Sequence, residues 1–269
     1  MKKMILILII SMFISGCSNK VLDNEKPIIT LKDSKDIVIY EGDIVPTLEY
    51  EVTDNADKDI KVLVSDDVDN KKAGVYTIKY SAKDKSGNKT EILKKVTVMK
   101  KISVVDGITY VKGVLIVNKK YHLPSTYNPN VQKVALDAHA NMKKDSKFPL
   151  TIISSFRSFS YQQKLFNDYA NLHGITEANR FSAKAGESEH QTGLAFDITS
   201  LNQNYANTLE GIWLKNNCHK YGFIIRYPEN KEAITGYMYE PWHIRYVGID
   251  LATKIYNSGK TLEEYLEIN

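Results

Sequence analysis

Ser188-Glu189-His190-Gln191-Thr192-Gly193-Leu194-Ala195-Phe196-Asp197 puts a carboxylate seven residues after a histidine, with one glycine between them. If Gly193 supplies a turn into a strand, both side chains aim at one centre. A second run, Tyr239-Glu240-Pro241-Trp242-His243-Ile244-Arg245-Tyr246, offers another histidine with a carboxylate three residues before it. Two imidazoles and one carboxylate, from His190, Asp197 and His243, leave a fourth tetrahedral position for water. That is the composition of a catalytic rather than a structural zinc site. Two nitrogen donors out of three favour Zn2+ over Mg2+.

Around these motifs the chain carries mixed helix and strand signals. Val131, Val134, Ala135, Ala138 and Met142 recur at helical spacing, as do Tyr161, Leu165, Tyr169 and Leu172. Between them, residues 150–154 predict a short apolar strand. Leu209, Ile212, Trp213 and Cys218 predict another helix ending near Gly222, followed by strand-like Phe223-Ile224-Ile225-Arg226. The reading is an α+β domain over residues 100–269. His122, His139 and His173 have no second ligand-type motif near them. His219 ends a helical pattern, where a cation favours the negative end of the dipole. All four read as surface or core residues.

Residues 27–99 differ in character. Val75-Tyr76-Thr77-Ile78-Lys79-Tyr80-Ser81-Ala82 alternates, with Tyr76, Ile78, Tyr80 and Ala82 on one face. Asp84-Lys85-Ser86-Gly87-Asn88 is a turn signal, and a β-rich run follows over residues 92–98. Ile37–Tyr40, residues 48–52 and residues 60–64 are further strands. Short strands at this spacing predict a small all-β sandwich. The stretch resembles the bacterial immunoglobulin-like modules of surface proteins in Pro27-Ile28-Ile29-Thr30-Leu31, Tyr40-Glu41-Gly42-Asp43, Val52-Thr53-Asp54-Asn55 and Ala73-Gly74-Val75-Tyr76-Thr77-Ile78. Such modules act as spacers or adhesive units. Asp54, Asp57 and Asp59 invite a calcium reading. An EF-hand loop wants Gly at its sixth position and Glu at its twelfth, where this chain has Asp59 and Ser65. The run reads as a solvated acidic turn.

At 269 residues the chain has room for one enzyme-sized domain and a smaller one. Its formal charge of +4 includes Lys2 and Lys3 and gives no electrostatic case for nucleic acid. These two lysines precede an apolar run over residues 4–14, too short to span a bilayer comfortably. Ile14-Ser15-Gly16-Cys17 then resembles the lipobox of bacterial lipoproteins. That implies removal of residues 1–16, diacylation of Cys17 and a lipid anchor on the outer side of the cell membrane. Residues 17–26 read as a tether. The only other cysteine is Cys218, in an apolar-periodic stretch, so an acylated Cys17 leaves no disulfide partner. Any metal must be held by histidine and carboxylate.

In full context the histidine motifs are specific. Ser-Glu-His-Gln-Thr-Gly-Leu-Ala-Phe-Asp with Glu-Pro-Trp-His resembles the zinc D-alanyl-D-alanine carboxypeptidases of the vancomycin-resistance (VanY) type. These share a fold group with lysostaphin-like peptidases and the hedgehog amino-terminal domain. The resemblance covers residues 114–247 and includes Leu123-Pro124 with Tyr127-Asn128-Pro129, Phe156-Arg157-Ser158-Phe159-Ser160-Tyr161-Gln162, and Tyr221-Gly222-Phe223-Ile224-Ile225-Arg226-Tyr227-Pro228. It implies a hedgehog/D-Ala-D-Ala peptidase-like α+β fold, one Zn2+ on His190, Asp197 and His243, and peptidoglycan stem peptides as substrate. It also implies that Glu240 passes a proton from water to the leaving amine. Arg157 would stabilise the carbonyl oxygen, and Gln162 and Ser188 would line the substrate site. Relatives often have Ala-Arg-Pro-Gly where this chain has Ala183-Lys184-Ala185-Gly186, and a tyrosine where it has Phe156. These departures bear on substrate preference and not on the metal.

Similar motifs serve L,D-carboxypeptidases, D,D-dipeptidases and cell-wall endopeptidases. A catalytically silent zinc- or wall-binding module is the non-enzyme alternative, and Glu240 and Arg157 beside all three ligands argue against it. The serine route to the same bond needs Ser-x-x-Lys, Ser-x-Asn and Lys-Thr-Gly in one site. Ser86-Gly-Asn-Lys89 falls in the sandwich and Lys260-Thr261 is followed by Leu262, so that route is excluded. His-Glu-x-x-His is absent.

Overall fold

The computed structural model describes residues 23–268; the expected signal segment and the lipobox at Cys17 lie outside the described residues. The chain divides into two compact units between Met99 and Lys100. No helix among the described residues is long and apolar enough to cross a membrane.

The described residues of the first unit form six strands: β1 Ile28–Leu31, β2 Ile37–Tyr40, β3 Tyr50–Thr53, β4 Val62–Asp66, β5 Gly74–Lys83 and β6 Lys89–Met99. β1 pairs with β3, and a four-stranded sheet runs β2-β6-β5-β4, with β2 parallel to β6. The alternation in β5 sends Ile78, Tyr80 and Ala82 into a core shared with Ile29, Ile37, Ile39, Val96 and Val98. The β5–β6 turn is tied by Asp84, whose carboxylate accepts from the Asn88 backbone N–H at 2.8 Å and its side-chain amide at 2.7 Å. Asp54 does not converge with Asp57 and Asp59. Its carboxylate caps its own loop, accepting from the Ala56 and Asp57 N–H groups, and lies near Asp23 and Asp84.

The second unit opens with a three-stranded antiparallel meander, β7 Ile102–Val105, β8 Ile108–Val111 and β9 Val114–Leu115. There follow α1 Lys133–Asp145, β10 Ile152–Ser154, α2 Phe159–His173, α3 Ile175–Phe181, a 3-10 turn Glu189–Thr192 and β11 Ala195–Ile198. The chain continues through α4 Leu209–Asn217, β12 Phe223–Tyr227, α5 Glu232–Thr235, β13 Glu240–Tyr246, α6 Ile249–Ser258 and α7 Leu262–Leu266. The central sheet is antiparallel in the order β10-β11-β13-β12.

Strand alternation gives this sheet two unlike faces. Phe196, Ile198, Phe223, Trp242 and Ile244 pack with Ala135 and Met142 of α1 and Leu214 of α4 in one core. Each large apolar side chain so buried contributes about 1.5–3 kcal/mol. The intervening residues, Asp197, Arg226, His243 and Arg245, point the other way and are buried too. Such a face persists only if its charges find partners.

The apolar spacing in α2 has a different meaning from the one expected. Tyr161 and Leu172 are exposed, and the residues turned into the protein are Gln162 and Phe166. Tyr161, Leu165 and Tyr169 instead form a wall of the main cleft. A cleft wall and a core face carry the same helical period, so spacing alone does not separate them. In α1 the inward residues are Ala135, His139 and Met142, while Val134 is exposed and Val131 precedes the helix.

Candidate active site

Ser188 starts the 3-10 turn, its hydroxyl accepting from the His190 N–H at 3.3 Å. Gly193 ends it at φ +68, in the left-handed region. Its carbonyl accepts from the Gln132 N–H at 2.9 Å, and a Cβ there would lie 1.9 Å from the Asn130 carbonyl oxygen. Only glycine fits that passage, and the chain then enters β11 directly. Asp197 of β11 stands opposite His243 of β13 in the antiparallel register.

One donor atom each of His190, Asp197 and His243 lies within 4.8 Å of the others, and all three residues are buried. His190 Nε2 is 3.3 Å from Asp197 Oδ2, and His243 Nδ1 is 3.2 Å from Asp197 Oδ1. Donors bound 2.0–2.2 Å from a tetrahedral zinc sit about 3.3–3.6 Å apart, and each imidazole nitrogen lies close to that distance from one of the two Asp197 oxygens. The donor chemistry fits as well. The His190 Nδ1–H donates to the Ser155 carbonyl at 2.7 Å, which leaves Nε2 with its lone pair. Burial and the Arg157 guanidinium push the His190 ring down to about 4, so it is neutral. Burial opposes charge on Asp197, but the adjacent imidazoles outweigh that and hold the carboxyl well below its usual range. Asp197 Oδ1 has no hydrogen-bond partner in the protein, which leaves its lone pairs available to a cation.

Glu240 opens β13 and sends Oε2 to 3.4 Å from His243 Nδ1. Burial raises its carboxyl above the ordinary value, against the pull of His243. A carboxylate shifted that way takes up a proton more readily. The Arg157 guanidinium reaches Asp197 Oδ2 at 3.1 Å, Gln162 Oε1 at 2.9 Å and Ser154 Oγ at 3.2 Å. Gln162, expected at the substrate, is wholly buried and does not line the cleft. Its amide is divided between Arg157 and the Ala183 carbonyl, 2.7 Å away, so it orients the guanidinium from behind. Ser188 borders the cleft, as do Arg157, His190, Asp197, Glu240 and His243. The cleft has a volume of about 510 Å³, within the range of small-molecule and peptide sites.

The other histidines lie apart from this cluster. His139 donates to the Leu150 carbonyl, His173 packs edge-on against Phe181, His219 stacks on Tyr256 and His122 lies on the surface near Glu187.

Four charged residues beside the site were not singled out from the sequence. Glu189, Arg226, Arg245 and Glu263 are buried together, with Arg226 paired to both Glu189 and Glu263 and Arg245 paired to Glu189. The available signal was an arginine at the fourth place of two strand-like runs rich in apolar residues, Phe223-Ile-Ile-Arg and Trp242-His-Ile-Arg. A charge there must be buried and must have a partner.

A buried two-histidine, one-aspartate centre, with a carboxyl and a guanidinium at its edge and a cleft in front, has the make-up of a metal-dependent hydrolase site. Comparison with known proteins points to the same class. The profile of VanY, D-alanyl-D-alanine carboxypeptidase, matches residues 127–249, and that of the bacterial surface protein Ig-like domain matches residues 29–98. YodJ of Bacillus subtilis is 42% identical over 180 residues, covering 56% of this chain and 66% of that one, just under two thirds of its length. The structure of the LdcB LD-carboxypeptidase superposes with a TM-score of 0.56 at 39% identity, covering 62% of this chain and 92% of that one. A mutant of the vancomycin-resistance D,D-pentapeptidase VanY, solved with Zn(II), gives a TM-score of 0.50 at 31% identity, covering 56% of this chain and 97% of that one. The chain belongs to the VanY D-alanyl-D-alanine carboxypeptidase family, with an Ig-like domain ahead of the peptidase fold.

Proposed function

We propose that this chain is an exported zinc carboxypeptidase that removes the terminal D-alanine from peptidoglycan stem peptides. The observation that carries the reading is the convergence of His190 Nε2, Asp197 and His243 Nδ1 beside Glu240, at the edge of a cleft. His190, Asp197 and His243 would hold one Zn2+, which supplies Lewis acidity and a water that is nucleophilic near neutral pH. Glu240 takes the proton of the attacking water and gives it to the departing amine nitrogen. Arg157 donates to the carbonyl oxygen as negative charge gathers there, and its bond to Gln162 keeps the fork aimed. Ser188 borders the bound peptide. Residues 1–16 would be the export signal, Cys17 the lipid-bearing residue, 17–26 a tether and 27–99 a spacer that carries the peptidase domain, 100–269, toward the wall.

A second reading, an L,D-carboxypeptidase acting on tetrapeptides, is favoured by one observation. The likeness to LdcB is higher in identity, and in the share of this chain that it covers, than the likeness to VanY. Incubation of the zinc-loaded protein with a pentapeptide stem and, separately, a tetrapeptide stem, read by mass spectrometry, tests both. Loss of one D-alanine from the pentapeptide alone supports the first reading, and loss from the tetrapeptide alone selects the second. Intact peptides in both reactions would reject the assignment.

A further inference from the structure

Glu189 lies between Ser188 and the ligand residue His190, and its side chain is fully buried. Its two oxygens have different surroundings. Oε1 accepts from Arg226 Nε at 2.7 Å and from an Arg245 terminal nitrogen at 2.9 Å. Oε2 accepts no hydrogen bond in the protein. It lies 3.7 Å from His243 Nε2, a second buried atom without a hydrogen-bond partner. Buried polar atoms are rarely left unpaired, and here two of complementary kind face each other.

A carboxylate kept only as counter-ion to two guanidinium groups would share both oxygens with them in fork geometry. Here the arginines converge on one oxygen. Arg226 is held in turn by Glu263, at 2.9 Å from its other arm, and Arg245 by the Leu115 carbonyl at 2.8 Å. The carboxylate is thereby fixed with its second oxygen toward the imidazole. The other ligand ring shows what such a contact does. The Ser155 carbonyl takes the Nδ1–H of His190 and leaves Nε2 for the metal. His243 presents the opposite nitrogen, Nδ1, to Asp197, so its ring needs an acceptor at Nε2.

We propose that Glu189 is a positioning residue for the metal centre: its Oε2 receives the Nε2–H of His243, fixing the tautomer and ring orientation that turn the Nδ1 lone pair toward the ion. This rests on the metal site of the preceding section. Glu189 stands outside the three-residue ligand group and acts through His243. Glu189→Gln keeps an oxygen for the two arginines but turns an amide N–H toward Nε2, which favours the wrong tautomer.

The test uses the full chain and Zn2+ in competition with a chromophoric chelator, together with nitrogen-15 NMR of the histidine rings. In the wild type, one Zn2+ binds per chain, and the His243 Nε2 proton is visible and protected from exchange with water. Glu189→Gln lowers Zn2+ affinity about 10–100-fold, the size of effect seen when outer partners of metal-bound histidines are removed. Unchanged affinity in that variant, beside normal wild-type binding, overturns the role of Glu189 and leaves the metal site standing. Failure of the wild type to bind Zn2+ overturns the metal site and this proposal with it. If the variant does not fold, the wild-type spectrum decides: a His243 Nε2 without a proton, or with one that exchanges freely, overturns the proposal.

Discussion

Asp197 and His243 are direct cross-strand partners in the β11–β13 pairing, their donor atoms 3.2 Å apart. Two of the three candidate ligands are therefore set by the register of a central sheet and not by a loop. A one-residue slip would send both side chains into the apolar core, so the register that buries Phe196 and Ile244 also builds the site. Asp197→Asn tests the electrostatic part of this arrangement. The amide keeps the shape and an oxygen for Arg157, but removes the only negative ligand. We expect the fold to persist and Zn2+ affinity to fall by more than about 100-fold, beyond the range for outer partners. Chelator competition with circular dichroism measures both, and near-wild-type affinity would exclude Asp197 as a ligand.

Glu240 sits 3.4 Å from His243 Nδ1 yet stands outside the three-residue ligand group. Its expected part is proton transfer, so metal content and turnover should separate. Glu240→Gln should retain one Zn2+ per chain and lose about 10²–10⁴-fold in turnover, the usual yield of a positioned acid/base. Turnover at the wild-type level in the metal-loaded variant would remove Glu240 from the mechanism.

Much of the fold was legible because it is written in local periods. The alternation over residues 75–82 gave both the strand and its inward face, Ile78, Tyr80 and Ala82. The α2 helix was legible, but its buried face was not. Tyr161, Leu165 and Tyr169 are apolar because they wall a cleft, and only tertiary structure distinguishes that from a core. The candidate ligands stood out because two short motifs each carry a histidine and a carboxylate. Glu189 lay in plain view inside one of them and kept its meaning hidden, because its partners come from strands 37 and 56 residues further on. Gln162 was assigned to the substrate for a similar reason: sequence places it near Arg157 without saying on which side.

Gly193 is the hinge between the turn bearing His190 and the strand bearing Asp197. Any side chain there meets two obstacles, a φ of +68 and the Asn130 carbonyl oxygen 1.9 Å from the Cβ position. The obstacle is backbone, and the adjacent Gln132 N–H is bonded to the Gly193 carbonyl, so relief requires moving the two segments apart. Gly193→Ala should therefore destabilise the domain by more than about 3 kcal/mol, at the upper end of single substitutions, and abolish stoichiometric metal binding. Thermal melts and metal analysis of the purified variant check this. A stable, metal-binding Gly193→Ala would show that the turn has room to move.

His139 lies on the far face of the sheet from the candidate metal site and gives the domain a pH dependence of predictable sign. Its ring packs edge-on to Phe196, and its Nε2–H donates to the Leu150 carbonyl at 2.7 Å. Burial lowers its pKa from the ordinary 6.5, although the bond to Leu150 opposes the shift. Above about pH 6.5 the ring is neutral in both folded and unfolded chains and contributes no slope. Below that, the unfolded chain holds a proton that the folded one lacks, so stability falls as pH falls until the lowered folded value is reached. One such group gives a slope of at most about 1.4 kcal/mol per pH unit. Both tryptophans, Trp213 and Trp242, lie in the second unit, so their fluorescence follows this unit in urea. Between pH 7.5 and 5.5 the wild-type midpoint should fall relative to that of His139→Gln, which keeps a donor for Leu150. His190 is shifted in the same direction as His139 and His243 in the opposite one, so the difference between the two proteins isolates His139. Identical slopes in the two proteins would mean that His139 titrates alike whether folded or unfolded.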